Sequence, residues 1–261
     1  MSFDKPFHRN YRPIKKGINS GYSDRAYIID KEYAKNPEHY TRAFTIIQED
    51  LLKLFYFIEP ADQNHDTYSF RIYELLLRIC TEVETNFKAI LQENIYSPTY
   101  KNGKIRPSTM WNINDYSLIN KTHHLDEFAI ELPVWKGQSK IRRPFEKWKN
   151  GEGLPWYKAY NNSKHDRLTN FNSANFENLI DAFCGLCALL SSQFRIDDFK
   201  PGPQYLQAYG YNYYGDGFGI GNYVLVDFPD KWTDDEMYDF DWTKLENETD
   251  RFNKIDFNNL I

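Results

Sequence analysis

Apolar side chains recur at helical spacing in four stretches of the chain. Between residues 40 and 58, and again between residues 67 and 94, they return every three or four positions, which predicts two amphipathic helices. Pro60 ends the first of them. A third helix is predicted to begin near Trp156, directly after Pro155, because a proline at the first helical position lacks only an N–H that would stay unbonded.

The fourth stretch, residues 174–194, has the most continuous apolar pattern, so we expect its helix to be the most buried element. Asn172 and Ser173 are the candidates for its N-terminal cap. Cys184 and Cys187 fall inside this helix, and no second C-x-x-C pair exists in the chain. We therefore interpret them as small core residues and not as a zinc or redox site.

The helical period is lost between residues 97 and 153, which we interpret as an insertion between the second and third helices. Two runs within it, 110–119 and 128–135, favour short strands. His123 and His124 lie next to each other there. Adjacent side chains point in different directions on most backbones, and no third ligand is spaced nearby, so we expect no metal site.

These patterns predict a mainly helical α+β protein. Residues 1–39 form an irregular N-terminal arm, residues 40–199 the helical domain with its insertion, and residues 200–261 a C-terminal extension that packs on the helices and contains a short strand. The extension is acidic and carries regularly placed aromatic residues, so it could cover a basic surface. Its glycines at 217, 219 and 221 lack the spacing of a phosphate-binding loop, and no dinucleotide or other cofactor is expected.

Composition narrows the class of protein. A chain of 261 residues with 41% hydrophobic residues can bury a substantial core. No apolar run is long enough to cross a bilayer, the first residues lack the order of a secretory signal, and three cysteines cannot all pair with one another. We therefore expect a cytoplasmic protein without a membrane partner.

Candidate chemistry lies on the third predicted helix. Asn161, Lys164 and His165 recur at spacings of three and four, which brings an amide, a cation and an imidazole to one face. Histidine suits general acid–base work near neutral pH, and an adjacent cation suits a phosphate. The same residues are also what a solvated helix face would contain, and that alternative stays open.

The pattern Tyr160-Asn161-x-x-Lys164-His165-Asp166, followed by a second apolar helix, resembles the HEPN superfamily of helical nucleic-acid-associated domains over about residues 40–195. The resemblance implies a bundle of four principal helices. It also implies metal-independent RNA cleavage by an arginine and a histidine, usually contributed by both subunits of a dimer, in a bacterial defence or toxin setting. Transferred by position, the family histidine is His165 and the polar residue of the motif is Asn161.

The chain departs from this family in one respect. Residues 159–161 are Ala, Tyr and Asn, so no arginine stands four to six positions before His165. Two hypotheses follow. In the first, the protein is an endoribonuclease in which Lys164, or Arg78 from the second helix, replaces the missing cation. In the second, it is a non-catalytic module that holds RNA or a protein partner.

The charge distribution suits RNA as a partner, but an ordinary solvated loop is also basic, and that alternative stays open. Between Lys136 and Arg167 the chain has nine lysines or arginines and three acids, although its overall charge is −5. Two tryptophans are interleaved with this basic run, a composition that can stack bases while neutralising phosphates. The same tryptophans could instead fix the loop to the helices. The candidate RNA-binding residues are Lys140, Arg142, Arg143, Lys147, Lys158 and Arg167.

Overall fold

A computed structural model describes residues 3–17, 21–200 and 219–260 of the chain. Within these ranges the α-helices are α1 (Ser23–Ala26), α2 (Pro37–Leu54), α3 (Phe70–Glu93), α4 (Ile113–Tyr116), α5 (Asn120–His123), α6 (Pro155–His165), α7 (Arg167–Asn170), α8 (Phe176–Phe194) and α9 (Trp242–Leu245). The strands β1 (Ala129–Glu131), β2 (Ile141–Arg142) and β3 (Leu225–Asp227) form one antiparallel sheet in the order β2–β1–β3. The prediction of a mainly helical α+β protein is confirmed.

Helix α8 lies at the centre of the fold, in contact with α2, α3 and α6. Every residue from Ala182 to Phe194 is buried, which confirms the expected most buried element. Phe183 stacks on Phe44 of α2 with ring centroids 5.2 Å apart. The cap of α8 is Asn175, whose side chain accepts from the Asn178 N–H at 3.0 Å, so the prediction that Asn172 or Ser173 caps this helix is wrong.

The insertion contains both helical turns and strands. Residues 128–135 include β1 as predicted, and β1 pairs with β2 on one edge and β3 on the other. The run 110–119 is helical and not extended, with α4 flanked by 3-10 turns. Asn112 and Asp115 form a capping box there. The Asp115 carboxylate accepts from the Asn112 backbone N–H at 2.7 Å, and the Asn112 side chain accepts from the Asn114 N–H at 3.0 Å. This local pairing outweighs the β propensity of the apolar residues.

Asp62 fixes the loop between β1 and β2. Its carboxylate accepts hydrogen bonds from Trp135 Nε1 at 2.8 Å and from the backbone N–H groups of Gln138 and Ser139. These bonds, the one from Trp135 above all, lower the pKa of Asp62. Gly137 has φ +130° beside the same carboxylate, and a Cβ at this position would collide with Asp62, so the turn requires glycine.

The N-terminal arm is anchored to the fold by buried polar residues. Arg9 is fully buried, and its guanidinium donates to Glu93 Oε1 at 2.7 Å, to Gln193 Oε1 at 2.9 Å and to the Lys35 carbonyl at 2.8 Å. The Arg9 carbonyl in turn accepts from His123 Nε2 at 2.9 Å. His123 and the arm are therefore parts of one buried polar network.

The C-terminal extension pairs with this arm. Isolated parallel bridges join Phe7 to Asn253 and Ile14 to Tyr238, and ion pairs join Lys5 to Glu248 and Lys15 to Asp234. The acids thus contact the basic arm, and the expectation that they cover the basic segment at 136–167 finds no support in these contacts. Gly217 lies outside the described residues. No helix within the described ranges combines the length and apolar character that crossing a membrane requires.

Candidate functional site

Helix α6 begins at Pro155, as predicted, and presents its aromatic residues to the core. Trp156 is buried, donates from Nε1 to the Pro144 carbonyl at 2.9 Å, and packs against Gly185 of α8. Tyr157 and Tyr160 are also buried. The candidate side chains of this helix are therefore carried by an element whose aromatic residues are packed in the core.

A polar contact ties α6 to α3. Tyr157 Oη donates to Glu84 Oε1 at 2.9 Å. Lys164 Nζ donates to Tyr160 Oη at 2.8 Å and lies 4.9 Å from the centre of that ring. The hydrogen bond to Tyr160 raises the pKa of Lys164, so this residue stays charged at neutral pH but is held along the helix.

His165 is the last residue of α6 and is exposed, and Asn161 one turn earlier is half-buried. Arg78 lies elsewhere: its Nη2 donates to Asp50 Oδ2 of α2 at 2.5 Å. Since Glu84 marks the face of α3 that contacts α6, Arg78 is on another face of that helix. The structure brings Asn161, Lys164 and His165 together on one helix but does not bring Arg78 to them.

Arg142 is the main correction among the candidate RNA-binding residues. Its side chain is only 7% exposed and donates to Asp181 Oδ1 at 3.1 Å and to His65 Nε2 at 2.9 Å. The guanidinium lies 4.8 Å from the centre of the Trp135 ring, and Glu177 Oε1 is 3.9 Å away. Arg142 is thus a buried ion-pair partner and is not available to a phosphate.

The other candidates are exposed, but they differ in what they contact. Lys140 pairs with Glu131 at 3.0 Å and Lys147 pairs with Glu152 at 3.3 Å. Arg143 donates to the carbonyl of Glu127 at 3.4 Å. Lys158 and Arg167, which flank the exposed edge of α6, form no ion pair with any described residue.

The two tryptophans of the basic run are core contacts. Trp135 is buried and stacks on Phe176, with ring centroids 5.7 Å apart. Trp148 is half-buried against Phe145 and Phe87 at 4.8 and 5.9 Å. They fix the loop to the helices, which was the alternative interpretation of these tryptophans.

A polar groove runs beside the exposed edge of α6. It has a volume of about 560 Å³ and is formed by three segments of the chain: residues 66–68, the first two turns of α6, and residues 172–178. Half of its polar side chains are amides, and the others are one cation, one phenol ring, one hydroxyl and one acid. They are Asp66, Tyr68, Lys158, Asn162, Asn172, Ser173, Asn175 and Asn178.

Sequence reasoning found Lys158 but missed the other polar residues of this groove. The signal was the density of asparagines between 170 and 178, of which only Asn172 was considered, and only as a helix cap. The amide of α6 that lines the groove is Asn162, one position after Asn161. Periodicity identifies the exposed side of the helix, but which edge of it faces a groove depends on the packing of α8 and of residues 66–68.

Next to the groove, several aromatic rings remain open to solvent around Phe171. Its ring centroid is 4.9 Å from Phe70 and 5.6 Å from Tyr68. The Arg167 guanidinium lies 5.5 Å from the centre of Phe70, and the neighbouring Leu168 is 90% exposed. An apolar surface of this kind beside a polar groove is typical of a binding site.

Comparisons with protein-family models, with curated proteins and with solved structures find no match to this chain.

Proposed function

We propose that this chain is a helical RNA-binding module that holds RNA along the groove beside α6 without cutting it. The composition of the groove carries the proposal: one unpaired lysine, four asparagines, a serine and a tyrosine converge there. Lysine, asparagine, serine and tyrosine are the side chains that contact phosphate and sugar oxygens in nucleic-acid complexes. A four-helix core of HEPN type and a cytoplasmic location belong to the same proposal, and the odd number of cysteines supports that location.

The charge around the groove supports RNA as the ligand, because the cations there outnumber the acids. Lys158, Lys164 and Arg167 all lie along α6 and its end, and Asp166 between them caps α7 by accepting from the Thr169 N–H at 3.3 Å. Asp66 is the acid within the groove and can accept from base amino groups. The excess of cations is small, so we expect modest affinity.

RNA binding measured across a salt series tests the proposal. Each lost phosphate contact lowers the slope of log K against log salt by about 0.7 to 0.9. Lys158→Glu and Arg167→Glu should weaken binding and flatten the slope. Lys147→Glu is the matched control, because it reverses the same charge in the same basic segment but on a lysine that pairs with Glu152. An equal effect of all three reversals would contradict the groove as the binding surface.

A metal-independent endoribonuclease of HEPN type, acting as a homodimer in a defence or toxin system, is the second candidate. The exposure of His165 favours it, because its imidazole at the end of α6 is open to solvent, beside Lys164. A positioned histidine of this kind can transfer a proton. Against it stands the position of Arg78, which pairs with Asp50 and leaves His165 without an arginine from that helix.

A further inference from the structure

Tyr68 stands at the wall of the groove with an open ring. Its backbone forms an antiparallel bridge with Asn175, which fixes this residue two positions before the start of α3. The side chain is 52% exposed and meets Phe171 at a near-perpendicular angle of 84°. A large part of the ring therefore faces the groove and solvent, whereas Trp135 and Trp148 pack against the core.

The amides of the groove fall into two pairs. Asn175 and Asn178 bond each other, since Asn178 donates from its backbone N–H and from Nδ2 to Asn175 Oδ1 at 3.0 and 2.9 Å. Asn162 and Asn172 are exposed, and their side chains form no hydrogen bond with a described residue. Each of the latter two can present one acceptor and two donors to a ligand, the pattern that pairs with the edge of a base.

The start of α8 does not offer a phosphate site. Its first N–H groups are occupied: Phe176 donates to the Thr67 carbonyl at 2.8 Å and Glu177 to the His65 carbonyl at 3.0 Å. The third, on Asn178, goes to the Asn175 cap. Phosphate contact in the groove is thus left to Lys158, and the remaining polar groups suit a base.

We propose that the groove takes single-stranded RNA, with one unpaired base stacked on Tyr68 and its edge bonded by Asn162 and Asn172. This inference rests on the proposed RNA-binding function and names its substrate class. Bases in a duplex are stacked on each other and their edges lie in grooves that side chains enter poorly, so a duplex cannot use Tyr68 in this way. The Phe70 ring with Arg167 over it offers a second stacking position beside the first.

The test compares an unstructured RNA 12-mer, containing one 2-aminopurine, with its duplex. Stacking on an aromatic ring quenches 2-aminopurine fluorescence. We expect the single strand to bind more tightly than the duplex and to lose fluorescence on binding. Tyr68→Leu keeps an apolar side chain but removes the ring, and should weaken single-strand binding about 10-fold and abolish the quenching. Tyr68→Phe should retain both.

Phe57→Leu is the control, because this ring is 86% exposed after the end of α2 and does not line the groove. Circular dichroism on every variant verifies folding. Equal binding of strand and duplex, with no effect of Tyr68→Leu, overturns the inference and leaves the proposed function standing if Lys158→Glu still weakens binding. No binding of any RNA by wild type at low salt overturns both.

Discussion

Arg142 donates from Nη1 to Oδ1 of Asp181 across 3.1 Å, and the Trp135 ring covers the guanidinium. The pair joins the small sheet to α8, since Arg142 belongs to β2 and Asp181 to α8. Burial raises the pKa of Asp181, and the charge of Arg142 opposes that rise. The basic segment thus stabilises the fold at this residue.

Loss of this cation should destabilise the protein. Arg142→Ala leaves the Asp181 carboxylate largely buried without its partner, so we expect the free energy of unfolding to fall by about 3 kcal/mol. Arg143→Ala, at the exposed neighbour, should change it by less than about 0.5 kcal/mol. Urea denaturation of both variants measures the difference. Equal midpoints would show that Arg142 is no more structural than Arg143.

The elements that the sequence predicts well are those that depend on local pattern. The helices α2, α3, α6 and α8 follow from apolar periodicity and from Pro155, all of which act within a few residues. Contacts between distant residues have no such signature. Arg142 and Asp181 are 39 positions apart, and Arg9 and Glu93 are 84 positions apart. The sequence pattern therefore could not predict that these two arginines are buried in ion pairs.

The same reasoning explains the candidate site. Asn161, Lys164 and His165 share a helix, so their proximity was predictable. The groove is formed by three segments that meet only in the folded chain. The position of Arg78 depends on which helix packs beside it, and its contact with Asp50 of α2 is a contact between distant residues. Asn175 was missed as a cap because several asparagines precede α8, and backbone geometry alone selects among them.

The N-terminal arm should contribute to stability through Arg9. Arg9→Met keeps much of the side-chain volume but leaves Glu93 and Gln193 without their buried donor. We expect a loss of about 3 to 5 kcal/mol in the free energy of unfolding. Lys16→Met, an exposed basic residue of the same arm, is the control. A melting temperature of Arg9→Met equal to that of the control would contradict a structural role for the arm.

The core of the protein should be most sensitive in α8. Phe183→Ala or Leu186→Ala removes a fully buried side chain and leaves a cavity, which typically costs about 2 to 5 kcal/mol. Arg71→Ala is the matched helical control, because the Arg71 side chain is 85% exposed on α3. Denaturant unfolding of the three variants checks the order. Similar losses for Arg71 and Phe183 would mean that α8 is not the centre of the core.

His123 should make stability depend on pH. Burial lowers its pKa from 6.5 to about 3 in the folded protein, where Nε2 donates to the Arg9 carbonyl. Below pH 6.5 the unfolded chain takes up a proton at this histidine and the folded chain does not, so protonation favours unfolding. The contribution of neutral His123 to the free energy of unfolding is therefore fully present above pH 6.5. It is lost as pH falls towards 3, at up to about 1.4 kcal/mol per pH unit.

His123→Gln keeps an N–H donor for Arg9 and does not titrate. The difference in unfolding free energy between wild type and this variant should therefore shrink or change sign as pH falls from 7 to 4. Urea titrations at each pH measure this difference in unfolding free energy. The contributions of the acidic residues that both proteins share cancel in it. A difference that stays constant over this range would show that His123 takes up its proton equally in the folded and unfolded states.

The last prediction separates the two candidate functions at His165. Cleavage of RNA without a metal needs a cation beside the developing charge as well as a proton donor. Lys164 is bonded to Tyr160 and Arg78 to Asp50, so we expect wild type to leave a labelled RNA pool intact in EDTA. His165→Ala should behave identically and keep its circular dichroism spectrum, because the side chain is exposed. The ribonuclease would be established by the opposite result: EDTA-resistant cleavage by wild type that falls about 100-fold or more in folded His165→Ala.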